Sequence, residues 1–143
     1  MADLDLVRRL GGASHGLTIV ATTRPDGSVH ATLVNAGVLD HPVNGAPVVG
    51  AVVRGSAKKL ANIRRSGRAS FTFRDGWEWV SVEGPAQIIG PDDPVAGVDV
   101  PELLRAVFKA AGGTHDDWDE YDRVMAAEGR VAVLVTPARV MTN

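Results

Sequence analysis

A cluster of basic and hydroxyl side chains in the first half of the chain has the composition of an anion-binding site. Arg54, Ser56, Lys58 and Lys59 stand where an apolar segment ends and a helical pattern begins. Free backbone N–H groups and the helix dipole favour anions at the start of a helix. The cluster therefore indicates a phosphate cradle, and a solvated helix face is the alternative that stays open.

Two tryptophans form a second candidate feature. Trp77 and Trp79 flank Glu78 in a segment that we expect to be a strand. Because strand side chains alternate, both indoles are expected on one face, where they could wall a cleft that binds a ring. Packing in the core or at a subunit interface is the alternative for this pair. Another aromatic pair, Trp118 and Tyr121, could belong to a lid, to the core or to a subunit interface, and all three interpretations stay open.

The residues needed for several other chemistries are missing from the sequence. The chain has no cysteine, which excludes disulfides, thiolate nucleophiles and cysteine-ligated metal sites. Its four histidines show no HxH or HExxH spacing, so no metal site is predicted. The GxSxG, GxGxxG and GxxxxGK[ST] motifs are absent, which disfavours nucleophile-elbow hydrolases and nucleotide-fold enzymes. No catalytic acid–base side chain is predicted.

Length and composition are those of an ordinary globular chain. The chain has 143 residues, of which 45% are hydrophobic and 22% are charged, and we expect a single domain over residues 1–143. No apolar run approaches the roughly 18 residues that span a bilayer. Residues 1–10 mix acidic and basic side chains, unlike a secretory leader. We therefore expect a cytoplasmic protein with no membrane contact.

The net charge of −2 hides a division of charge along the chain. Residues 41–74 contain seven Lys or Arg side chains and no Asp or Glu, whereas residues 92–122 contain nine acids and two bases. General nucleic-acid binders carry a larger basic surface and a basic net charge. The distribution therefore favours a localised anion site and no nucleic-acid partner.

Apolar periodicity and turn residues predict six strands and four short helices. Ser56 is expected to cap the second helix and Gly67 to end it. Sequential antiparallel strands favour a closed or partly closed barrel, because closure removes exposed strand edges. The fold class is thus mainly β, a six-stranded antiparallel barrel with short helices. The expected helices are 3–10, 56–66, 102–111 and 116–127, and the expected strands are 17–24, 29–39, 48–53, 68–74, 77–89 and 130–140.

The order of the sequence pieces resembles a known family. ATTRPDGSVHATLV, KLANIRRSGRASF, DGWEWVSVEGPAQI, HDDWDEY and VAVLVTPARV follow one another along the chain. This set is similar to the split β-barrel family that includes pyridoxamine phosphate oxidase and FMN-binding proteins. Within it, the set looks most like the deazaflavin-dependent B branch of actinobacteria. The resemblance extends from about residue 16 to residue 140.

The resemblance implies a homodimer with two cofactor sites at the subunit interface, each holding coenzyme F-420 or, in sister branches, FMN. Lys59 would hold the phosphate or acidic tail of the cofactor, with Arg54, Ser56 and Lys58 beside it. The strand residues Thr32, Leu33 and Val34 would lie along the flavin-like ring. Trp77 and Trp79 would come from the neighbouring strand or subunit.

Three functions stay open on the sequence. The first is an F-420-dependent reductase that transfers a hydride to an electron-poor double bond of a small molecule, such as an enone, a quinone or a tetrapyrrole. The second is an FMN-dependent oxidase or reductase. The third is a binding protein for flavin or haem without turnover. In the two enzymes the cofactor carries the chemistry and the protein supplies position and shielding.

Overall fold

The computed structural model describes residues 4–143. The predicted start of the first helix at residue 3 lies outside this range. No helix in the described range is long and apolar enough to cross a membrane. The elements are α1 (Leu4–Ala13), β1 (Leu17–Thr23), β2 (Val29–Asp40), β3 (Pro47–Val53), α2 (Lys58–Ser66), β4 (Arg68–Asp75), β5 (Glu78–Ile89), α3 (Val100–Ala110), α4 (Trp118–Ala127), β6 (Val131–Val135) and β7 (Arg139–Thr142).

Six of the strands close into an antiparallel barrel. The strand order is β4-β1-β2-β3-β6-β5, and β5 pairs back with β4 to close the ring. The barrel interior holds one apolar core that includes Phe71, Phe73 and Val82. A second core lies between the outer face of β3 and β6 and the helices α3 and α4. The predicted six-stranded antiparallel barrel with four short helices is confirmed.

The hairpin of β1 and β2 follows the predicted turn chemistry. The Asp26 carboxylate accepts hydrogen bonds from the Ser28 backbone N–H at 2.9 Å and from its hydroxyl at 2.6 Å. Gly27 takes the positive φ of 86° that the turn requires. Along β1, Thr18, Val20 and Thr22 are buried, whereas Leu17 and Ile19 are exposed. The alternation gives β1 one face toward the core and one face outward.

The last strand was predicted as one segment over 130–140, and this prediction is wrong. β6 pairs with β3 and with the end of β5, whereas β7 pairs with the first part of β5. The break falls at Pro137, which has no N–H to donate. On either side of it, Thr136 N donates to Pro85 O and Ala138 N donates to Glu83 O, both at 2.9 Å. The chain therefore steps from one half of β5 to the other and forms a seventh strand.

Helix α2 starts later than predicted. Its N-cap is Ala57, which makes no side-chain capping hydrogen bond, and Ser56 lies exposed before it. Ser56 is therefore wrong as the predicted cap. The predicted stop is confirmed, since Gly67 takes a φ of 70° and donates its N–H to Ile63 O at 2.7 Å. Asn62 anchors the helix to β1 by donating from Nδ2 to the buried Thr22 hydroxyl at 3.1 Å.

Helices α3 and α4 form a hairpin outside the barrel. Each has an aspartate N-cap, Asp99 and Asp117, whose carboxylate accepts the N–H three residues later. The C-terminus of α3 lies directly against β2, because a Cβ placed on Gly37 would stand 2.0 Å from Ala110 O. The two helices thereby form a wall beside the strand residues that follow Thr32.

Candidate functional site

A cavity of about 420 Å³ lies between the barrel and the α3–α4 hairpin. Strands β2 and β3, the start of α2, helices α3 and α4, and the residue before β6 all contribute to it. Four of the nine predicted cofactor-binding residues line this cavity: Leu33, Val34, Arg54 and Lys59. The structure thus brings the strand segment and the basic cluster of the sequence to one place.

Three basic side chains, Arg54, Lys59 and Arg130, line the cavity, and this set of residues is called the cationic end below. Arg54 directly follows β3, and Arg130 directly precedes β6. The last pair of the β3–β6 ladder is Val53 with Val131, so the two arginines stand opposite each other one residue further on. Lys59 joins them from the first turn of α2.

Electrostatics distinguish the three basic side chains of the cationic end. Arg54 Nη2 lies 3.2 Å from Glu128 Oε2, and Arg130 Nε lies 2.9 Å from Glu128 Oε1. Lys59 is half-buried and has no hydrogen bond or ion pair within the described part of the chain. Burial holds its pKa below the ordinary value of a lysine. A partly desolvated cation without a partner is a candidate ligand for an anion.

The backbone of α2 adds to this end. The first N–H groups of a helix have no intrahelical acceptor, and here no side chain caps them. Lys59 lies in that first turn and lines the cavity, so the N-terminal end of α2, with its positive end of the helix dipole, adjoins the cavity. The arrangement fits a phosphate or another compact anionic group.

The lining residues contributed by α3 and α4 are Val107, Phe108, Ala111, Tyr121 and Met125, and this set is called the apolar end. The rings of Phe108 and Tyr121 have centroids 4.9 Å apart. Tyr121 donates its hydroxyl to Leu104 O at 3.1 Å, and burial raises the pKa of Tyr121 to about 12. Its phenol is therefore protonated at neutral pH and serves as an apolar wall with a committed hydroxyl.

The remaining predicted residues lie outside the cavity lining. Ser56 and Lys58 are exposed at the start of α2. Thr32 pairs with Val20 and so shares the inner face of the hairpin. Its hydroxyl oxygen is buried and has no hydrogen-bond partner in residues 4–143. These three residues flank the cavity without forming its surface.

The tryptophan prediction is wrong in its structural premise. Asp75 pairs with Glu78, so Gly76 and Trp77 form a two-residue turn and Trp77 precedes β5. Trp77 is 93% exposed, whereas Trp79 is a half-buried residue of the strand. Strand alternation therefore does not relate the two indoles. Within one chain, neither tryptophan lines the cavity.

Sequence reasoning missed Arg130 and the helix residues of the apolar end as site residues. Arg130 is remote from Arg54 along the chain, and only the register of β3 with β6 brings the two together. Met125 and Phe108 belong to helical patterns that predict core packing equally well. The pairing register was the missing information, and no local motif carries it.

Within the described range, no group of three or more His, Cys, Asp or Glu side chains could hold a metal ion.

The fold and the cavity define a class of protein: a closed antiparallel barrel with a cavity, lined in part by basic side chains, between the barrel and a helical hairpin. The chain belongs to the pyridoxamine 5'-phosphate oxidase family, which it matches over residues 11–142. The resemblance stated from the sequence pieces is confirmed at the level of this family.

Three solved structures are similar in fold to this chain. The conserved hypothetical protein Rv2991 from Mycobacterium tuberculosis is 25% identical, with a TM-score of 0.70 over 99% of this chain and 84% of that protein. An F420 reductase is 16% identical, with a TM-score of 0.60 over 87% of this chain and 88% of that one. A pyridoxamine 5'-phosphate oxidase-related, FMN binding protein from Nostoc punctiforme is 13% identical, with a TM-score of 0.62 over 99% and 84%.

Proposed function

We propose that this chain is an F-420-dependent reductase, which transfers a hydride from the reduced cofactor to an electron-poor double bond of a small organic substrate. The observation that carries the proposal is the joint presence of a cationic end and an apolar end in one cavity. A deazaflavin cofactor has an apolar ring and an acidic tail, so its two halves match the two ends. Enones, quinones and tetrapyrrole-like molecules are the proposed substrate class.

The residues present fit such a cofactor. Arg54, Lys59 and Arg130 would hold the phosphate and carboxylate groups of the tail, whereas Ser56 and Lys58 are exposed outside the cavity lining and are not part of this proposed set. Leu33 and Val34 of β2, which line the cavity, would lie along the ring, and Thr32 would adjoin them on the inner face of the hairpin. The longer anionic tail of F-420 would use these basic side chains more fully than the single phosphate of FMN, and F-420 is therefore the first candidate.

In this proposal, the side chains that line the cavity bind the cofactor, orient it and exclude water from it. None of the described lining residues is Asp, Glu or His, and the Tyr121 hydroxyl is committed to Leu104 O. The apolar end therefore supplies a dry surface and no obvious proton donor. When bound, the cofactor supplies the hydride, and the chain's part is to set the distance and the angle of approach.

A homodimer is part of this proposal. The outer face of the β1–β2 hairpin exposes four large apolar side chains, Leu17, Ile19, Val29 and Leu33, at 44%, 43%, 61% and 60%. Leu33 also lines the cavity, so the apolar face and the cavity are continuous. A second copy on this face would bury it and shield the mouth of the cavity. The exposed Trp77 of the partner is the proposed additional wall of the ring site.

Solution mass tests the dimer. Ile19→Glu places a charge in the middle of the apolar face, and we expect the mass measured by light scattering to fall from dimer to monomer. Val43 is 61% exposed in the β2–β3 turn, so Val43→Glu is the matched control and should leave the dimer intact. A wild-type protein that is a folded monomer would contradict the dimer proposal.

Titration with F-420 and, separately, with FMN tests the cofactor. Cofactor fluorescence monitors each titration. We expect tight binding of F-420 and weaker binding of FMN. An FMN-dependent oxidase or reductase is the second candidate, because the cationic end also accommodates one phosphate. Tighter binding of FMN than of F-420 would favour this second candidate.

Haem is less suited to the cavity, since no described histidine, the commonest haem ligand, lines it.

A further inference from the structure

Glu128 lies at the junction of two loops behind the cationic end. It is the C-cap residue of α4, and each of its carboxylate oxygens accepts from a different guanidinium, Arg54 and Arg130. Both arginines line the cavity, but Glu128 does not. The carboxylate therefore contacts both basic side chains without forming part of the cavity lining.

The two loops touch at the same place. A Cβ placed on Gly55 would stand 2.4 Å from Gly129 O, so the backbone of the β3–α2 turn lies directly against the α4–β6 turn. Gly55 follows Arg54, and Gly129 separates Glu128 from Arg130. The backbone contact and the carboxylate bridge thus form one unit that fixes both arginines relative to the end of the β3–β6 ladder.

Electrostatics explain why a bridge is needed at this point. The strand register places two like charges opposite each other, and directly opposed like charges repel. The hydrogen bond from Arg130, together with attraction from both arginines, holds the pKa of Glu128 below its ordinary value. The ionised carboxylate separates the guanidinium groups and leaves their other N–H donors available, since each contributes only one nitrogen to the bridge.

Helix stability does not account for this glutamate. A negative charge at a helix C-terminus opposes the helix dipole, so the position disfavours an acid. The side chain of Arg54 is 61% exposed, so its ion pair with Glu128 contributes little to folding, whereas the pair of Glu128 with Arg130 is half-buried. The placement is better explained by what the two arginines do on their cavity side.

We propose that Glu128 is a positioning residue, which presets Arg54 and Arg130 to bind a phosphate or a similar anionic group at the cationic end. This inference rests on the proposed function, because it assigns the orientation of the tail-binding residues in that site. The same positioning should also strengthen the binding of an inorganic anion that has no ring, so it can be tested without a flavin.

A ligand pair that differs only in a phosphate isolates the effect. FMN and riboflavin share one ring and differ in the phosphate group. For Glu128→Ala we expect the Kd for FMN to rise about tenfold, as for a loss of charge-assisted hydrogen bonds, while the Kd for riboflavin stays within about twofold. F-420 and its tail-free deazaflavin chromophore form the equivalent pair. Glu128→Gln keeps one acceptor oxygen, and we expect an intermediate loss.

Glu120→Ala is the matched control. Glu120 belongs to the same helix, is exposed, and has no side-chain contact with either arginine in the described structure. The variant removes the same charge and should leave both affinities unchanged. Thermal unfolding of each variant shows whether the fold is intact, and Glu128→Gln remains available as the test if the alanine variant does not fold.

Two results would overturn the inference. Tighter binding of FMN by Glu128→Ala would mean that the carboxylate competes with the ligand anion. An equal loss of FMN and riboflavin would mean a general structural role. If the wild type binds neither F-420 nor FMN, the proposed function fails, and calorimetry with inorganic pyrophosphate still tests Glu128. Weaker pyrophosphate binding by the variant than by the wild type supports the inference, and unchanged binding overturns it.

Discussion

The cationic end of the cavity consists of single side chains from two loops and one helix start, whereas the apolar end consists of rings and aliphatic groups from two packed helices. Arg54, Lys59 and Arg130 are held by hydrogen bonds, a strand register and a helix terminus. Phe108 and Tyr121 are held by burial. We therefore expect substitutions at the cationic end to change ligand affinity, and substitutions at the apolar end to change stability first.

Charge reversal at Lys59 should give the largest effect. Lys59→Glu puts a negative charge beside Arg54 and Arg130, so we expect the Kd for F-420 or FMN to rise about 100-fold, or roughly 2.7 kcal/mol. Lys58 is the adjacent lysine, exposed and outside the cavity lining, so Lys58→Glu is the control and should change the Kd by less than about threefold. Fluorescence titration measures both. Equal effects of the two variants would mean that Lys59 has no special place in the site.

The contrast between Lys58 and Lys59 also shows what the sequence can predict. The local cluster of basic residues at a helix start was sufficient to suggest a candidate anion site, because residue types and helix ends act over a few residues. The cluster alone did not distinguish the two lysines, because which lysine faces the cavity depends on where α2 begins; the family resemblance was what pointed to Lys59. The helix starts at Lys58 rather than at Ser56, and this shift leaves Ser56 without a capping role.

Long-range pairing decided the rest of the site. Arg130 became a site residue only through the β3–β6 register, and Trp77 left the strand because the β4–β5 turn includes it. The barrel itself was predictable, since turn residues and alternating strands recur along the whole chain. The division of the last strand was harder to predict. Pro137 indicates a break, but it does not show that the chain then pairs with the other half of β5.

The glycine contact at the cationic end predicts an intermediate effect. Gly55→Ala would place a Cβ against Gly129 O, so the two loops must separate. We expect the free energy of unfolding to fall by about 1–3 kcal/mol, as for other overpacked sites, together with a higher Kd for the phosphate-bearing ligand. Gly12→Ala is the control, because a Cβ there meets nothing within 4 Å. Chemical denaturation and ligand titration measure the two quantities, and an unchanged Kd would separate the loop contact from the anion site.

Removal of the Tyr121 hydroxyl should change stability more than affinity. Tyr121→Phe keeps the ring that lines the cavity and removes the donor to Leu104 O, leaving a buried carbonyl without that partner. We expect a loss of about 1 kcal/mol in the free energy of unfolding, and a Kd for cofactor within about twofold of the wild type. A large rise in Kd without a loss of stability would show that the hydroxyl contacts ligand, and the division between the two ends of the cavity would fail.

Tyr121 is the single tyrosine of the chain, so its ionisation can be followed directly by phenolate absorbance. Burial raises its pKa from 10.0 to about 12 in the folded protein. The folded state thus disfavours the phenolate, and the stability linked to this group is complete below pH 10 and is lost as the pH rises toward about 12. We expect an absorbance midpoint near the raised value in the native protein, and near the ordinary value in denaturant. A native midpoint at the ordinary value would mean that solvent reaches the phenol, and the apolar end would then be open rather than packed.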